Sequence, residues 1–196
     1  MERPAPVVLE NDVVRLEPLA ARHLEGVREA SEADPSIYLY YGPPVHEQGV
    51  EGWLAQALDE AARGVRLPFP VIERASGLLA GSSSYLDIAP DDGRIEIGHT
   101  WYGARFQGTR VNPAAKLLLA THAFEVLGAG RLQLKTDERN ARSRAGILGV
   151  GATFEGILRQ YQRRGEGPGI RDTAMYSILA AEWPVARAHL ARRIAA

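Results

Sequence analysis

The sequence predicts an α+β fold, a mixed and mostly antiparallel sheet of about seven strands flanked by helices, in one domain over residues 1–196. Three observations predict it. Segments of period two between Phe69 and Trp101 are joined by short turns, as in an antiparallel meander. An apolar helix starting near Asn112-Pro113 then lies between that meander and a further strand, so one connection crosses the sheet instead of turning back. No internal repeat or linker divides the chain, and 196 residues suit a single domain.

Composition narrows the partners. With 23 Lys and Arg against 24 Asp and Glu the net charge is −1, so no global field recruits nucleic acid or an anionic membrane. A small molecule or a protein surface is the more natural partner. The absence of cysteine removes disulfides, thiolate metal sites and cysteine nucleophiles, and His46, His99 and His122 lack metal-ligand spacing, so no metal is expected. MERPAPVVLEND has no signal-peptide core and no run reaches the length of a membrane span, which predicts a cytoplasmic protein.

The elements follow in order. Met1–Pro6 reads as a loose lead, and Val13–Glu17 as a first strand closed by Pro18. Leu24, Val27 and Ala30 give a weakly amphipathic helix from about Ala20 to Ala30, ending before Asp34-Pro35. Ile37–Tyr41 is an aromatic cluster, a packed corner or a pocket wall, before the turn Gly42-Pro43-Pro44. From about His46 to Arg63, Val50, Trp53, Leu54, Ala57, Leu58 and Ala61 recur at three and four residues, a helix stopped by Gly64. Phe69–Arg74 and Leu78–Leu86 form a hairpin over Ala75-Ser76-Gly77, and Asp91-Asp92-Gly93 turns into the fourth strand, Arg94–Trp101. In it Ile95, Ile97, His99 and Trp101 fall on one face and Glu96, Gly98 and Thr100 on the other. One carboxylate thus sits mid-strand beside a glycine.

Asn112 is a good N-cap and Pro113 suits the first position of a helix that runs to Leu127 and stops at Gly128. Arg131–Thr136 alternates as a fifth strand, and Asp137–Asn140 leads into a short helix ending near Gly149–Gly151. Thr153–Arg159 and Arg171–Leu179 are a last strand pair around the glycine-rich Gly165–Gly169, and Trp183–Ile194 closes the chain as a helix.

The loop Gln107-Gly108-Thr109-Arg110-Val111-Asn112 is a candidate anion site. First-turn N–H groups of a helix lack intrahelical partners and the helix dipole adds positive potential, so such a loop can hold a phosphate, with Arg105 and Arg110 adding charge.

This order of elements, with QGTRVN before the third helix, resembles the GNAT N-acetyltransferase superfamily, and within it the RimJ/RimL-like branch. The matching pieces are Ile95–Trp101, Gly108–Asn112, Ala115–Leu119, Lys135-Thr136-Asp137 through Asn140-Ala141-Arg142-Ser143, and Arg171-Asp172-Thr173 with Tyr176-Ser177-Ile178. The resemblance implies a single GNAT-like domain whose fourth and fifth strands splay apart, with acetyl-CoA lying in the gap. Its pantetheine would pair with the fourth strand and its pyrophosphate with main-chain groups of Gln107, Gly108, Thr109, Arg110, Val111 and Asn112. One departure stands out. With Gln107 at the first position of the family's loop pattern, Arg110 replaces its first glycine and Asn112 its final small residue. Arg110 then either crowds the pyrophosphate or turns outward to clamp it.

The same resemblance implies catalytic roles. Glu96 would be the base that takes the acceptor's proton, or else an ordinary strand carboxylate paired with Arg94 or another base. Main-chain N–H groups near Ile97 and Gly98 would polarise the thioester carbonyl. The tyrosine many relatives use to protonate the leaving thiolate is replaced by Ile147. Ser143 would stabilise that thiolate and Asn140 contact the pantetheine, although both residues also suit helix capping.

His99 reads as a satisfied core histidine, Arg171-Asp172 as a structural ion pair or Asp172 as a contact to the acceptor, and Arg139, Arg142 and Arg144 as a solvated face or a contact to the nucleotide's 3′-phosphate. The function expected is acetyl transfer from acetyl-CoA to a primary amine, either a protein N-terminal α-amine or a small amine, by a possible homodimer. The alternative is a CoA-binding regulatory or degenerate module without turnover. A P-loop or Rossmann domain is disfavoured because neither fingerprint follows a strand.

Overall fold

In the computed structural model, which describes residues 1–32, 44–163 and 169–195, the strands form one mixed sheet of eight in the order β1-β2-β3-β4-β5-β6-β8-β7. The strands are β1 (Leu9–Glu10), β2 (Val14–Leu16), β3 (Leu67–Glu73), β4 (Leu79–Ala89), β5 (Arg94–Tyr102), β6 (Arg131–Asp137), β7 (Thr153–Arg163) and β8 (Ile170–Leu179). The helices are α1 (Leu24–Glu32), α2 (Pro44–Ala62), α3 (Val111–Thr121), α4 (Ala141–Leu148) and α5 (Trp183–Ala195). The eighth strand is β1, two residues too short to register as alternation, which pairs Leu9 with Leu16. The lead is tied at its start, where the Met1 ammonium donates to the Pro90 carbonyl and the Glu2 N–H to that of Leu127.

Proline does not break β3, although Pro68 and Pro70 lie within it. β2 pairs only with Val71, Ile72 and Glu73, so the two prolines face no strand on that side and remove no ladder bond. The hairpins at Gly77 and Gly93 form as the turns predict, with φ of 72° and 63°. The helix expected from about His46 begins at Pro44 and contains a non-helical residue, Gly49, at φ 68°, a conformation glycine adopts without the Cβ penalty. The aromatic run Ile37–Tyr41 and the turn at Gly42-Pro43 lie outside the described residues, as does most of the loop before Gly169.

β4 and β5 pair antiparallel, whereas β5 and β6 pair parallel, with α3 as the crossover between them. α3 buries Ala114, Ala115, Leu119 and Ala120 completely. Small side chains on this stripe let the helix lie close over the sheet. After Thr121 the helix widens into a π-turn over His122–Val126, in which the Leu127 N–H bonds the His122 carbonyl, before Gly128 ends it at φ 71°. The main core includes Ile95, Ile97, Leu132, Leu134, Tyr176 and Leu190, and a smaller cluster joins Val27, Trp53 and Ala57 to Trp101.

The pairing that positions the site is the shortest. β5 and β6 are joined only at Arg94 with Arg131, Ile95 with Leu132, and Glu96 with Gln133. Beyond Glu96 the strands part. β5 continues to Tyr102 on β4, and β6 continues to Asp137 on β8, so a V-shaped gap opens in the middle of the sheet, as the splay expectation requires.

Candidate active site

A cavity of about 980 Å³ occupies this gap. Its walls are β5 from Glu96 to Tyr102, β6 from Leu134 to Thr136, the loop and first turn of α3, the inner side of α4, and Tyr161–Arg163 of β7. Of the candidate site residues, Glu96, Ile97, Gly98, Gln107, Gly108, Thr109, Asn112, Asn140 and Ser143 line it, whereas Arg110 and Val111 do not.

Glu96 sits at the vertex and is 1% exposed. Its Oε2 accepts from the Lys135 Nζ at 2.6 Å, which fixes the partner left open in the sequence as Lys135 and not Arg94. Arg94 instead pairs with Asp87. Burial pushes the Glu96 carboxyl above its ordinary range, and Lys135 opposes the rise. The other carboxylate oxygen stands over Gly98, where a Cβ would meet Glu96 Oε1 and Leu86 Cδ1 at 2.7 Å. Glycine at 98 therefore makes room for the carboxylate on the cavity wall.

The strict alternation expected of β5 fails after Gly98. Ser84 faces Gly98 and Ser82 faces Trp101, so His99 and Thr100 stand opposite the single residue Ser83. This is a β-bulge, and His99 takes φ 45° at it. The imidazole turns out of the core expected for it and onto the cavity wall, where solvent reaches it. Thr100 is held from behind. Its Oγ1 shares a hydrogen bond with Ser83 Oγ at 2.8 Å and accepts from Lys116 Nζ at 2.5 Å. Lys116, from α3, is buried, and desolvation brings its pKa down to about 7.

At the other end, α3 begins two residues earlier than its sequence suggests. Arg110 is the N-cap, and Asn112 and Pro113 lie inside the first turn. The reason is Thr109, whose Oγ1 accepts from the Val111 N–H while donating to the Phe106 carbonyl. A first-turn donor is thus already satisfied, and Asn112 is released toward the cavity. Pro113 still loses no bond, because first-turn N–H groups have no intrahelical acceptor. Arg110 does not line the cavity. Its guanidinium donates to the Ile194 carbonyl near the end of α5. The charge at this end comes from Arg142, which bonds the Gln107 Oε1 at 2.7 Å, and from Arg193. Opposite them, Asn140 caps α4 by accepting from the Ser143 N–H at 2.9 Å.

The comparisons with known proteins agree with this geometry. Residues 14–153 match the family model described as an acetyltransferase (GNAT) domain. The chain belongs to the GNAT acetyltransferase family. A GCN5-related N-acetyltransferase from Brucella melitensis shares 32% identity over 97% of this chain and 86% of that one, with a TM-score of 0.87. A putative acetyltransferase from T. thermophilus shares 35% over 97% and 98%, at 0.84. Mycobacterium smegmatis RimJ in complex with CoA-disulfide covers 98% of each chain at 0.79, with 23% identity. Comparison with proteins of curated function gives no match.

GNAT acetyltransferases use acetyl-CoA as acetyl donor, and the residues present fit it. Past Glu96 the facing edges of β5 and β6 are not paired with each other, so main-chain groups there are available to an extended ligand bearing amides. Gly108, at φ 72°, carries the loop to the helix start with nothing near a Cβ position, which leaves room for a phosphate against the backbone. Arg142 and Arg193 supply cations for further phosphate. Ile147 lines the cavity.

Lys135, Lys116 and His99 were the site residues that sequence reasoning passed over or dismissed. Lys135 had a signal, since it follows Gln133 on the face that alternation directs at the gap. Lys116 had a weaker one, a cation on the apolar stripe of α3. For the bulge at His99 the sequence carries no clear mark. In place of the expected Arg171-Asp172 pair, Arg171 donates to Gln162 Oε1, and Asp172 accepts from the Gln160 N–H. Among the three arginines read as a solvated face, Arg139 pairs with Asp137, and Arg144 bonds the Tyr176 hydroxyl.

Proposed function

We propose that this GNAT acetyltransferase transfers the acetyl group directly to a primary amine, a protein N-terminal α-amine or a small amine, with Glu96 as the base. The observation that carries this reading is the position of Glu96, a buried carboxylate at the vertex of the splayed strands with one oxygen turned over Gly98 on the cavity wall. Bound in the gap, acetyl-CoA supplies an acetyl thioester, and transfer forms an amide and releases the thiol. Attack needs a neutral amine, and a carboxylate whose pKa is raised above its usual range is a more effective proton acceptor near neutral pH. A main-chain N–H near Ile97 and Gly98, on the edge of β5 that β6 leaves unpaired, polarises the carbonyl in this reading. Ser143 lines the opposite wall half-buried, which supports its assignment as the donor to the leaving thiolate. Gln107, Gly108, Thr109 and Asn112 hold the pyrophosphate. Asn140 spends its side-chain oxygen on the cap, so any contact with pantetheine falls to its amide nitrogen.

The RimJ/RimL-like resemblance makes protein N-termini the first acceptors to screen. It also carries a homodimer, which sedimentation of the purified protein tests. The competing module without turnover draws on Arg110 in the loop, which bonds the Ile194 carbonyl and does not line the cavity, and on Ile147 in place of a tyrosine, which does. The test pairs calorimetric titration of acetyl-CoA with turnover on an acceptor panel. Glu96→Gln is expected to lower kcat about 100-fold or more at unchanged acetyl-CoA affinity. Binding without turnover on any amine would favour the module, and a fully active Glu96→Gln would remove Glu96 as base.

A further inference from the structure

We propose that Lys135 is a positioning residue that keeps Glu96 ionised and aims its free oxygen at the acceptor, acting through the ion pair that spans the vertex of the gap. The inference rests on the assignment of Glu96 as base. A carboxylate that is 1% exposed does not remain charged by itself. The titratable groups that face it are Lys135 from β6, Asp87 from β4, Arg171 from β8 and Lys116 from α3. Asp87 works against ionisation and is itself engaged by Arg94 and Gln133. Among the described residues, Lys135 is the cation hydrogen-bonded to the Glu96 carboxylate, at 2.6 Å.

The topology explains why a lysine two residues past the last rung does this. Glu96 pairs with Gln133, the last rung before the strands part. Lys135 is next on the same face of β6, across the opening gap. Its ammonium holds Oε2, which leaves Oε1 over Gly98, on the wall where an acceptor approaches a carbonyl held by β5. The ring of Tyr161 from β7 lies 5.7 Å from the ammonium, a cation–π contact on its far side. The ion pair therefore sets both the charge and the direction of Glu96, while Lys135 itself touches no reacting atom.

Two measurements test this. Infrared spectra across pH follow the carboxyl band of Glu96, identified by its loss in Glu96→Gln, and need neither acceptor nor turnover. In Lys135→Met the protonated band is expected to persist about one to three pH units higher than in the wild type, and in Lys135→Arg to stay near the wild-type position. An unmoved band in Lys135→Met overturns the proposal. If that variant does not fold, Lys135→Gln, which keeps a donor without the charge, is read the same way. In kcat/KM profiles, the acid limb is expected to move upward in Lys135→Met with the rate largely recovered at high pH. A uniform loss at every pH with an unmoved limb would reduce Lys135 to a brace across the gap and reject the proposal. An active Glu96→Gln would instead refute the base assignment, and the infrared result on Lys135 would still stand or fall separately.

Discussion

Gly98 and Lys116 are each explained by what surrounds a single side chain. A Cβ at position 98 would meet two flexible tips, Glu96 Oε1 and Leu86 Cδ1, at 2.7 Å, and β5 is extended there, so alanine meets no backbone strain. Gly98→Ala should therefore cost little stability, about 1 kcal/mol and a few degrees of Tm, yet displace the carboxylate and lower turnover at least about tenfold. Thermal melts beside initial rates check it, and an alanine variant with full activity would show that Oε1 is not needed over that position. Lys116 makes a prediction about pH. Its folded pKa, about 7, lies below that of the unfolded chain, so between about 7 and 10.5 the unfolded state binds more protons and stability rises with pH. Below that window both states are protonated and the full cost of burying the ammonium is present. Lys116→Met removes the charge and leaves Ser83 and Thr100 bonded to each other. It should be more stable than the wild type at pH 6 and lose the rise toward pH 10, which denaturant midpoints across pH would show. A wild type equally stable at both ends would refute it.

At the scale of elements, what was legible was whatever short-range pattern dictates. Turn glycines, the period-two strands of the meander, the apolar stripe of α3 and the cap at Asn140 each follow from a few neighbouring residues, and each forms. What was not legible depends on residues distant in sequence. The bulge at His99 exists because β4 offers only Ser83 opposite two residues of β5. The start of α3 moved because a hydroxyl outside the helix took the place of the Asn112 cap. Asn140 shows how a structural and a functional role can be separated. Its Oδ1 caps α4, so Asn140→Ala should cost about 1 kcal/mol of stability while Asn140→Asp keeps the cap. If the amide nitrogen also touches the cofactor, both variants should bind acetyl-CoA more weakly, although only alanine loses stability. Wild-type affinity in Asn140→Asp would confine the residue to capping.

Across the whole molecule, the architecture was legible because one crossover between a meander and a later strand admits few topologies, and helix α3 is the crossover that parallel neighbours require. The cavity was visible only through resemblance. Nothing in alternation says that β5 and β6 pair over three rungs and then part, since both strands keep their outer partners, β4 and β8, beyond that point. The gap is thus a place where the sheet gives up main-chain pairing between its halves, and a ligand that supplies the missing partner joins them. Acetyl-CoA at about 100 times its dissociation constant should stabilise the fold by roughly 2.7 kcal/mol, several degrees of Tm in a chain of this size. Hydrogen exchange should locate that gain. Added protection is expected in Ile97–Trp101 and at Gly108–Asn112, the exposed edge of β5 and the helix start, with β3 and the β6–β8 ladder already slow without ligand. Protection confined to α1 and α2, or spread evenly over the sheet, would mean that the cofactor does not bridge the gap and that the open edge of β5 has another use.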